Sequence, residues 1–230
     1  MSRIKMASLV LILLHCATNA ENLAVYTESL PPFQLIESDK ISGSATVKVK
    51  QLLERANLKY DLHMVPWARA YNIVKTTPNT LIYSMNRSPE REPYFHWITV
   101  VAQIDNSFIA LASKDLNITQ LDDARKFMIA VIRDGYAHDV LLSQDFVVDV
   151  NMYVVATLDQ QIALLLKGKV DFVFTGEQTI KYRLMQQNLD PALVETRYSQ
   201  PAWSRDLYLA ANINTSPKIL KTIYELHSKK

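Results

Sequence analysis

Apolar residues recur along this chain with two different spacings, which predict strands that alternate with helices. Short continuous or alternating apolar runs are typical of strands, and apolar positions three or four residues apart are typical of amphipathic helices. The predicted strands lie at 22–26, 60–65, 80–83, 108–112, 128–132, 154–155, 170–174 and 207–211. The predicted helices lie at 43–58, from 66 and from 121 onward, at 137–142, at 158–166 with Gly168 as its left-handed end, and at 216–226. This alternation predicts an α/β fold with mainly parallel sheets.

The predicted elements form two similar sets that neither a flexible linker nor a repeat of fixed period separates. We therefore expect two lobes joined by two short crossovers, near 98–105 and near 198–206. In this division, lobe 1 consists of 21–104 and 206–230, and lobe 2 consists of 105–205.

The amino terminus has the pattern of a secretory signal peptide over residues 1–20. Arg3 and Lys5 precede an apolar run at 7–14, and small residues follow where a signal peptidase would cut. The run is shorter than the roughly 20 apolar residues that a membrane span needs. We expect cleavage to leave Glu21 as the first residue of an exported chain.

A lipoprotein cut before Cys16 is the alternative, and the large side chain of His15 argues against it. Cys16 is the one cysteine of the sequence. After cleavage the exported chain would contain no cysteine, so a hydrophobic core rather than disulfides must hold it together.

The composition is that of a globular protein without an obvious charged partner. The 230 residues are 49% hydrophobic and 21% charged, enough for one large domain or two lobes. Without Arg3 and Lys5, the 25 basic residues fall to 23 and equal the 23 acidic ones, which argues against a nucleic-acid partner. The five histidines have no metal-binding spacing, and no cofactor or nucleophile motif is present. We expect neither a metal nor a cofactor.

One segment concentrates candidate ligand chemistry at the end of a predicted strand. The apolar run 80–83 leads into Ser84, Asn86, Ser88 and Arg91. Open α/β sheets bind ligands at the carboxyl ends of their strands. A guanidinium matches a carboxylate with two parallel hydrogen bonds, so Arg91 is the candidate anchor for an anionic group, although a solvated surface loop would show the same composition.

Further candidate ligand-binding residues lie in loops and at helix starts that we expect to face the same site as Arg91. Tyr26, Glu28 and Phe33 follow the first strand, and Trp67 and Arg69 lie in a helix that begins after a proline. Trp67 is equally typical of a core aromatic, and Arg69 of a solvated helix residue. The candidates from the second lobe are Arg133, Gly135, Tyr136 and Glu177.

Several short motifs, in this order, resemble the family-three extracellular solute-binding proteins. These are the periplasmic receptors of polar amino-acid transporters and their relatives. The motifs are Tyr26-Thr27-Glu28-Ser29-Leu30-Pro31-Pro32-Phe33, Gly43 before a helix, Pro66-Trp67-Ala68-Arg69-Ala70 as in a divergent branch, Ser88-Pro89-Glu90-Arg91, and Gly168-Lys169-Val170-Asp171. The resemblance implies a two-lobed periplasmic-binding-protein fold of type II, with each lobe a mainly parallel sheet flanked by helices and two hinge crossovers between them.

The resemblance also implies a function and roles for particular residues. It implies a monomer that captures a small polar, carboxylate-bearing solute in the periplasm and delivers it to an ABC permease or a sensor, without catalysis. In the family, the segment that matches Ser88 and Arg91 binds the ligand's carboxylate, with Ser84 and Asn86 beside it. Gly176 stands where relatives usually have an acid for the ligand's ammonium group, which argues against a standard α-amino acid ligand.

Two other classes of function remain open. The architecture also resembles periplasmic cyclohexadienyl dehydratases, in which a pocket carboxylic acid protonates a leaving group, and Glu28 or Glu177 could supply that proton if burial raised its pKa. The chain could also be a sensory partner whose closed form docks on a membrane receptor.

Overall fold

The computed structural model describes residues 23–227 as an α/β protein. The strands are β1 Leu23–Thr27, β2 Leu35–Glu37, β3 Lys40–Ser42, β4 Tyr60–Met64, β5 Thr80–Asn86, β6 Phe95–Leu111, β7 Ile129–Ile132, β8 Met152–Val155, β9 Phe172–Gly176 and β10 Val194–Asn212. The helices are α1 Ser44–Arg55, α2 Trp67–Thr76, α3 Tyr136–Ser143, α4 Leu158–Leu166, α5 Glu177–Gln186 and α6 Pro217–His227. Three short 3₁₀ turns lie at Glu92–Tyr94, Leu121–Lys126 and Pro191–Leu193.

Eight of the strands form one sheet in the order β4-β1-β5-β10-β6-β9-β7-β8. At one end, β1 pairs in parallel with β4 and β5, and at the other end β7 pairs in parallel with β8 and β9. The central strands β10 and β6 are antiparallel to each other and to their outer neighbours. Helices flank both parallel ends, because the chain needs a long connection, usually a helix, to pass from one parallel strand to the next.

The hydrophobic core divides along the two central strands. In β6 the core of one end extends to Ile104 and the core of the other begins at Phe108, and in β10 the change falls between Trp203 and Leu207. We call β1, β4, β5, α1, α2 and α6 the first half, and β7, β8, β9, α3, α4 and α5 the second half. The crossovers expected at 98–105 and 198–206 are therefore parts of two long paired strands, and the lobe boundaries remain a prediction.

Local sequence explains where α1 and α4 begin and end. Gly43 precedes α1 with φ of 109°, and a Cβ there would lie 2.4 Å from the carbonyl oxygen of Phe33, so only glycine fits. Thr157 caps α4 by accepting a hydrogen bond from the backbone N–H of Gln160. Gly168 follows α4 with φ of 64°, which confirms its predicted left-handed conformation.

Several elements differ from the sequence-based predictions. The predicted strand at 170–174 forms two residues later, as β9, and α5 and the β2–β3 hairpin were not predicted. The predicted signal peptide and Cys16 lie outside the described residues. Within 23–227, no helix combines the length and the apolar character that a membrane crossing requires.

Candidate ligand site between the two halves of the sheet

A small cavity lies where the carboxyl ends of the parallel strands of both halves meet. Six predicted residues line it: Glu28, Trp67, Ser84 and Asn86 from the first half, and Gly135 and Tyr136 from the second. The placement follows from the topology, since β1 and β5 end on one side of it and β7 and β9 on the other. Its volume of about 60 Å³ has room for only a few water molecules.

The end of β5 is shaped by a bulge that directs Ser84 toward the loop after β1. The pairing of β5 with β10 shifts register beside Ser84, which has φ of 63°. Left-handed backbone is costly for a residue with a side chain and is concentrated at functional sites. The Ser84 hydroxyl donates to Oε1 of the fully buried Gln34 at 2.8 Å, so these two segments are fixed relative to each other.

Two polar groups at the cavity have no hydrogen-bond partner among the described residues. They are the Nδ2 donor of Asn86 and the Oε1 acceptor of Gln161. Gln161 is fully buried, and its Nε2 donates to the carbonyl oxygen of Ala130 at 2.7 Å, so the side chain is held in place. A buried polar atom without a partner is costly. A bound solute that accepts from Asn86 and donates to Gln161 would remove that cost.

Glu28 supplies the carboxyl group of the cavity. It follows β1 directly, and it lines this cavity and an adjoining one. Burial raises the pKa of Glu28 to about 8, and the nearby positive charge of Arg91 only partly offsets that rise. At neutral pH the carboxyl is therefore mostly protonated, and a cation placed beside it would favour its ionised form.

Arg91 lies behind the cavity and joins the two halves. Its Nη1 donates to the carbonyl oxygen of Asn86 at 3.0 Å, and its Nη2 donates to the carbonyl oxygen of Asp134 and to Oδ2 of Asp139, each at 2.9 Å. Only 4% of the arginine side chain is exposed, against 54% for Asp139. Partial burial raises the pKa of Asp139, and the charges of Arg91 and His138 partly oppose that rise. In this structure a carboxylate of the protein itself occupies the predicted anchor.

The aromatic rings of Trp67 and Tyr71 pack beside Arg91, where it joins the two halves. The guanidinium carbon of Arg91 lies 5.6 Å from the ring centre of Trp67 and 5.2 Å from that of Tyr71. The indole Nε1 of Trp67 donates to the carbonyl oxygen of Asp134 at 2.6 Å. Trp67 is therefore a core residue that also lines the cavity, and its contact with a ligand stays a prediction.

The remaining predicted site residues lie elsewhere. Arg69 and Arg133 are exposed: Arg69 lies outside the buried face of α2, and Arg133 directly follows β7. The Tyr26 ring stacks on His63, with ring centres 5.0 Å apart, and Ser88 precedes Arg91 in a turn where its carbonyl accepts from the Arg91 N–H. Phe33 and Glu177 line a separate cavity of about 540 Å³ at the middle of the long strands.

Glu177, the acid that follows Gly176, is paired within its own helix. Its carboxylate pairs with Lys181 at 2.7 Å, one helical turn along α5. Burial would raise the pKa of Glu177, but hydrogen bonds from Lys181 and Thr196 outweigh it and lower the pKa. Glu177 is therefore a charged residue already engaged by its own helix.

The space that an acid at position 176 would need is filled. A Cβ on Gly176 would lie 2.8 Å from Cγ1 and 2.9 Å from Cδ1 of Ile104. A side chain at this position therefore requires the buried Ile104 side chain of β6 to move. Among the residues that line the small cavity, Glu28 is the one carboxylic acid.

Gly176→Asp is expected to destabilise the protein by about 1–3 kcal/mol, because Ile104 must move to admit the new side chain. Adding Ile104→Ala should recover part of that loss. Chemical denaturation of the two single variants and the double variant gives the coupling energy. Strictly additive effects would show that Ile104 does not exclude the acid.

Sequence reasoning missed Gln34, Gln161 and Asp139. Gln161 could have been found, since it is polar on the face of α4 that Leu158, Ile162 and Leu165 bury. Asp139 has no such signal, because an acid near the start of a helix is ordinary. Among residues 23–227, no group of three or more histidine, cysteine, aspartate or glutamate side chains could hold a metal ion.

Comparison with solved structures identifies the fold. No protein-family model and no curated protein sequence matches the chain. A histidine kinase sensor domain with similarity to periplasmic binding proteins superposes with a TM-score of 0.76 at 14% identity, with 91% of each chain covered. The arginine-, lysine-, histidine-binding protein ArtJ from Geobacillus stearothermophilus gives 0.75 at 14% identity, covering 91% of this chain and 90% of ArtJ.

A third neighbour shows the same fold as part of a larger protein. The periplasmic domain of BvgS from B. pertussis superposes with a TM-score of 0.73 at 11% identity, covering 90% of this chain and 40% of that one. Identities this low establish the fold alone. The chain therefore has the fold of the periplasmic binding proteins.

Proposed function

We propose that this chain is a periplasmic receptor that binds a small polar solute between the two halves and presents the closed form to an ABC permease or a membrane sensor. The observation that carries the proposal is the cavity at the strand ends, where Asn86 and Gln161 have unused hydrogen-bonding groups. The solved neighbours include both amino-acid receptors and sensor domains, so both partners are compatible with the fold.

The site favours a solute that carries opposite charges. Glu28 would take a cationic group, and Arg91 would take a carboxylate in exchange for Asp139. Because ArtJ binds arginine, lysine and histidine, these three amino acids are the first probes. An ammonium group would meet Glu28 from the first half rather than the acid that relatives have at position 176.

Binding requires the two halves to separate first. A cavity of about 60 Å³ is far below the roughly 300–1,000 Å³ of typical ligand pockets, so an amino acid has to enter an open form. Bending of β6 and β10 where the core divides would provide the hinge, since both chain passages lie there.

The pH dependence of the affinity for L-arginine tests the proposal. If Glu28 binds the cation, the affinity for L-arginine should fall about tenfold for each pH unit below 8, because the bound state needs the ionised carboxyl. Calorimetric titration between pH 8.5 and 6.5 measures this slope. Glu28→Gln should bind more weakly at pH 8.5 and show no slope over this range. A wild-type affinity independent of pH would remove Glu28 from the site.

A catalytic alternative rests on the same residue. A carboxyl with a pKa of about 8 is protonated at neutral pH and can donate a proton to a leaving group, as a dehydratase needs. Incubation with prephenate distinguishes the two functions. Formation of a dehydrated, decarboxylated product that depends on Glu28 would favour the enzyme, and recovery of unchanged prephenate would favour the receptor.

A further inference from the structure

We propose that Asp139 is an internal substitute for a ligand carboxylate, which occupies Arg91 and holds the two halves closed when no solute is bound. The central observation is the ion pair between Nη2 of Arg91 in the first half and Oδ2 of Asp139 in α3 of the second half, at 2.9 Å. The closure claim depends only on this contact and its neighbours. The consequence for solute choice rests on the proposed function.

The contacts across the cleft are concentrated around Arg91. Two of its three hydrogen bonds go to the second half, and the third goes to the Asn86 carbonyl within its own half. Trp67 also donates to the Asp134 carbonyl, so one backbone oxygen of the second half accepts from two side chains of the first. A further bond joins Arg183 of the second half to the Ser29 hydroxyl of the first. The two halves are therefore in contact around Arg91, and the small cavity beside this contact is too small for an amino acid.

The difference in exposure between the two partners decides which one can leave. Arg91 is enclosed by protein and by the rings of Trp67 and Tyr71, whereas more than half of the Asp139 side chain is in contact with solvent. Removing one member of a pair whose other charge is buried costs far more than exchanging it for an equivalent group. Asp139 can turn out to water at little cost, but Arg91 then needs another carboxylate or an open cleft that admits water.

This arrangement makes Asp139 a specificity-determining residue. A solute with a carboxylate has to compete with Asp139, so its measured affinity includes the cost of displacing that side chain. A solute without a carboxylate leaves the Arg91–Asp139 contact intact. Asp139→Asn should therefore tighten the binding of L-arginine, whereas a residue that merely positions Arg91 would weaken binding when it is changed.

Closure without a solute is tested by small-angle scattering on the protein dialysed free of amino acids. The wild type should be compact, and Asp139→Ala should shift the ratio of closed to open molecules by about tenfold toward the open form, which has the larger radius of gyration. Sodium acetate, compared with sodium chloride at equal ionic strength, should make Asp139→Ala compact again by restoring a carboxylate to Arg91. Arg91→Ala should be open in both salts.

The matched control is Glu195→Gln. Glu195 pairs with Arg197 at 2.6 Å, and both residues lie in β10, in the part of the strand that packs with the second half. The substitution therefore removes no contact between the two halves, and the protein should stay compact. If Asp139→Ala does not fold, Asp139→Asn has nearly the same volume and removes only the charge, and a partly open form is expected for it.

The outcomes separate this inference from the receptor hypothesis. A compact Asp139→Ala in sodium chloride, or equal compaction of Arg91→Ala by acetate, would overturn the inference. Rescue by acetate with no response to any amino acid would leave the internal contact established and argue against the proposed solute instead. Weaker L-arginine binding by Asp139→Asn would overturn its role as a competitor.

Discussion

Glu28→Gln is expected to stabilise the protein at pH 8.5 by on the order of 2–4 kcal/mol and to leave its stability unchanged near pH 4. The reason is that burial raises the pKa of Glu28 from 4.5 to about 8, so the folded chain holds a proton that the unfolded chain has already lost. Glutamine has the shape of the protonated acid and does not ionise, so it removes the cost of either keeping that proton or burying the charge.

The sign of the effect follows from proton binding in the two states. Below pH 4.5 both states are protonated and the wild type loses nothing. Between pH 4.5 and 8 the folded state binds more protons than the unfolded state, so the free energy of unfolding falls as the pH rises. Above pH 8 both states are ionised and the difference between wild type and Glu28→Gln should stay constant.

Urea denaturation of both proteins across pH 4–9 measures this difference. Glu177→Gln is the matched control, because the pKa of Glu177 is lowered rather than raised. It should slightly destabilise the protein at pH 8.5, which is the opposite sign, and this effect should shrink as the pH falls below 4.5, because a lowered pKa contributes stability only while the folded carboxyl is ionised. Parallel stability curves for wild type and Glu28→Gln over the whole range would contradict the burial of this carboxyl.

The sequence predicted those elements whose start, end and apolar pattern are all set by residues close together in the chain. Helix α4 was predicted with the correct ends, because its apolar run and the Gly168 that follows it lie within eleven residues of one another. The polar end of β5 was predicted for the same reason, since its apolar run changes to polar residues at the strand end. The sequence did not predict the full length of the long strands β6 and β10. In β6, exposed polar residues such as Gln103 and Asp105 interrupt the run of apolar residues.

The parts of the site that sequence could not supply are contacts between distant segments. Arg91 is predicted to anchor a ligand carboxylate, but its partner in the structure, Asp139, lies 48 residues away on a helix with no distinguishing pattern. Ser84 and Gln34 are 50 residues apart and meet only because β5 adjoins β1. The sequence resemblance interprets Gly176 as a lost acid, whereas the structure shows that the Ile104 side chain occupies the space beside this glycine. Such pairings depend on the register of the sheet, which single-sequence periodicity does not fix.

Arg91→Ala is expected to weaken the binding of a carboxylate-bearing solute by roughly 2–5 kcal/mol, because the solute's charge would then be buried without its partner. The loss should lie toward the lower end of this range, since the wild-type affinity already includes the displacement of Asp139. Arg91→Lys should recover only part of the loss, because an ammonium group cannot reproduce the two-pronged geometry of a guanidinium. Calorimetric titration of L-arginine into each variant gives these differences.

Arg87→Ala provides the control from the same segment. Arg87 pairs with Glu92 at 2.6 Å, but 48% of its side chain is exposed, so its removal should change affinity by less than about 1 kcal/mol. Arg91→Ala and Asp139→Asn should then change the affinity in opposite directions, although both break the same ion pair. That opposition is expected only if the solute and Asp139 compete for one guanidinium. Near-wild-type affinity in Arg91→Ala would mean that Arg91 joins the two halves without contacting the solute.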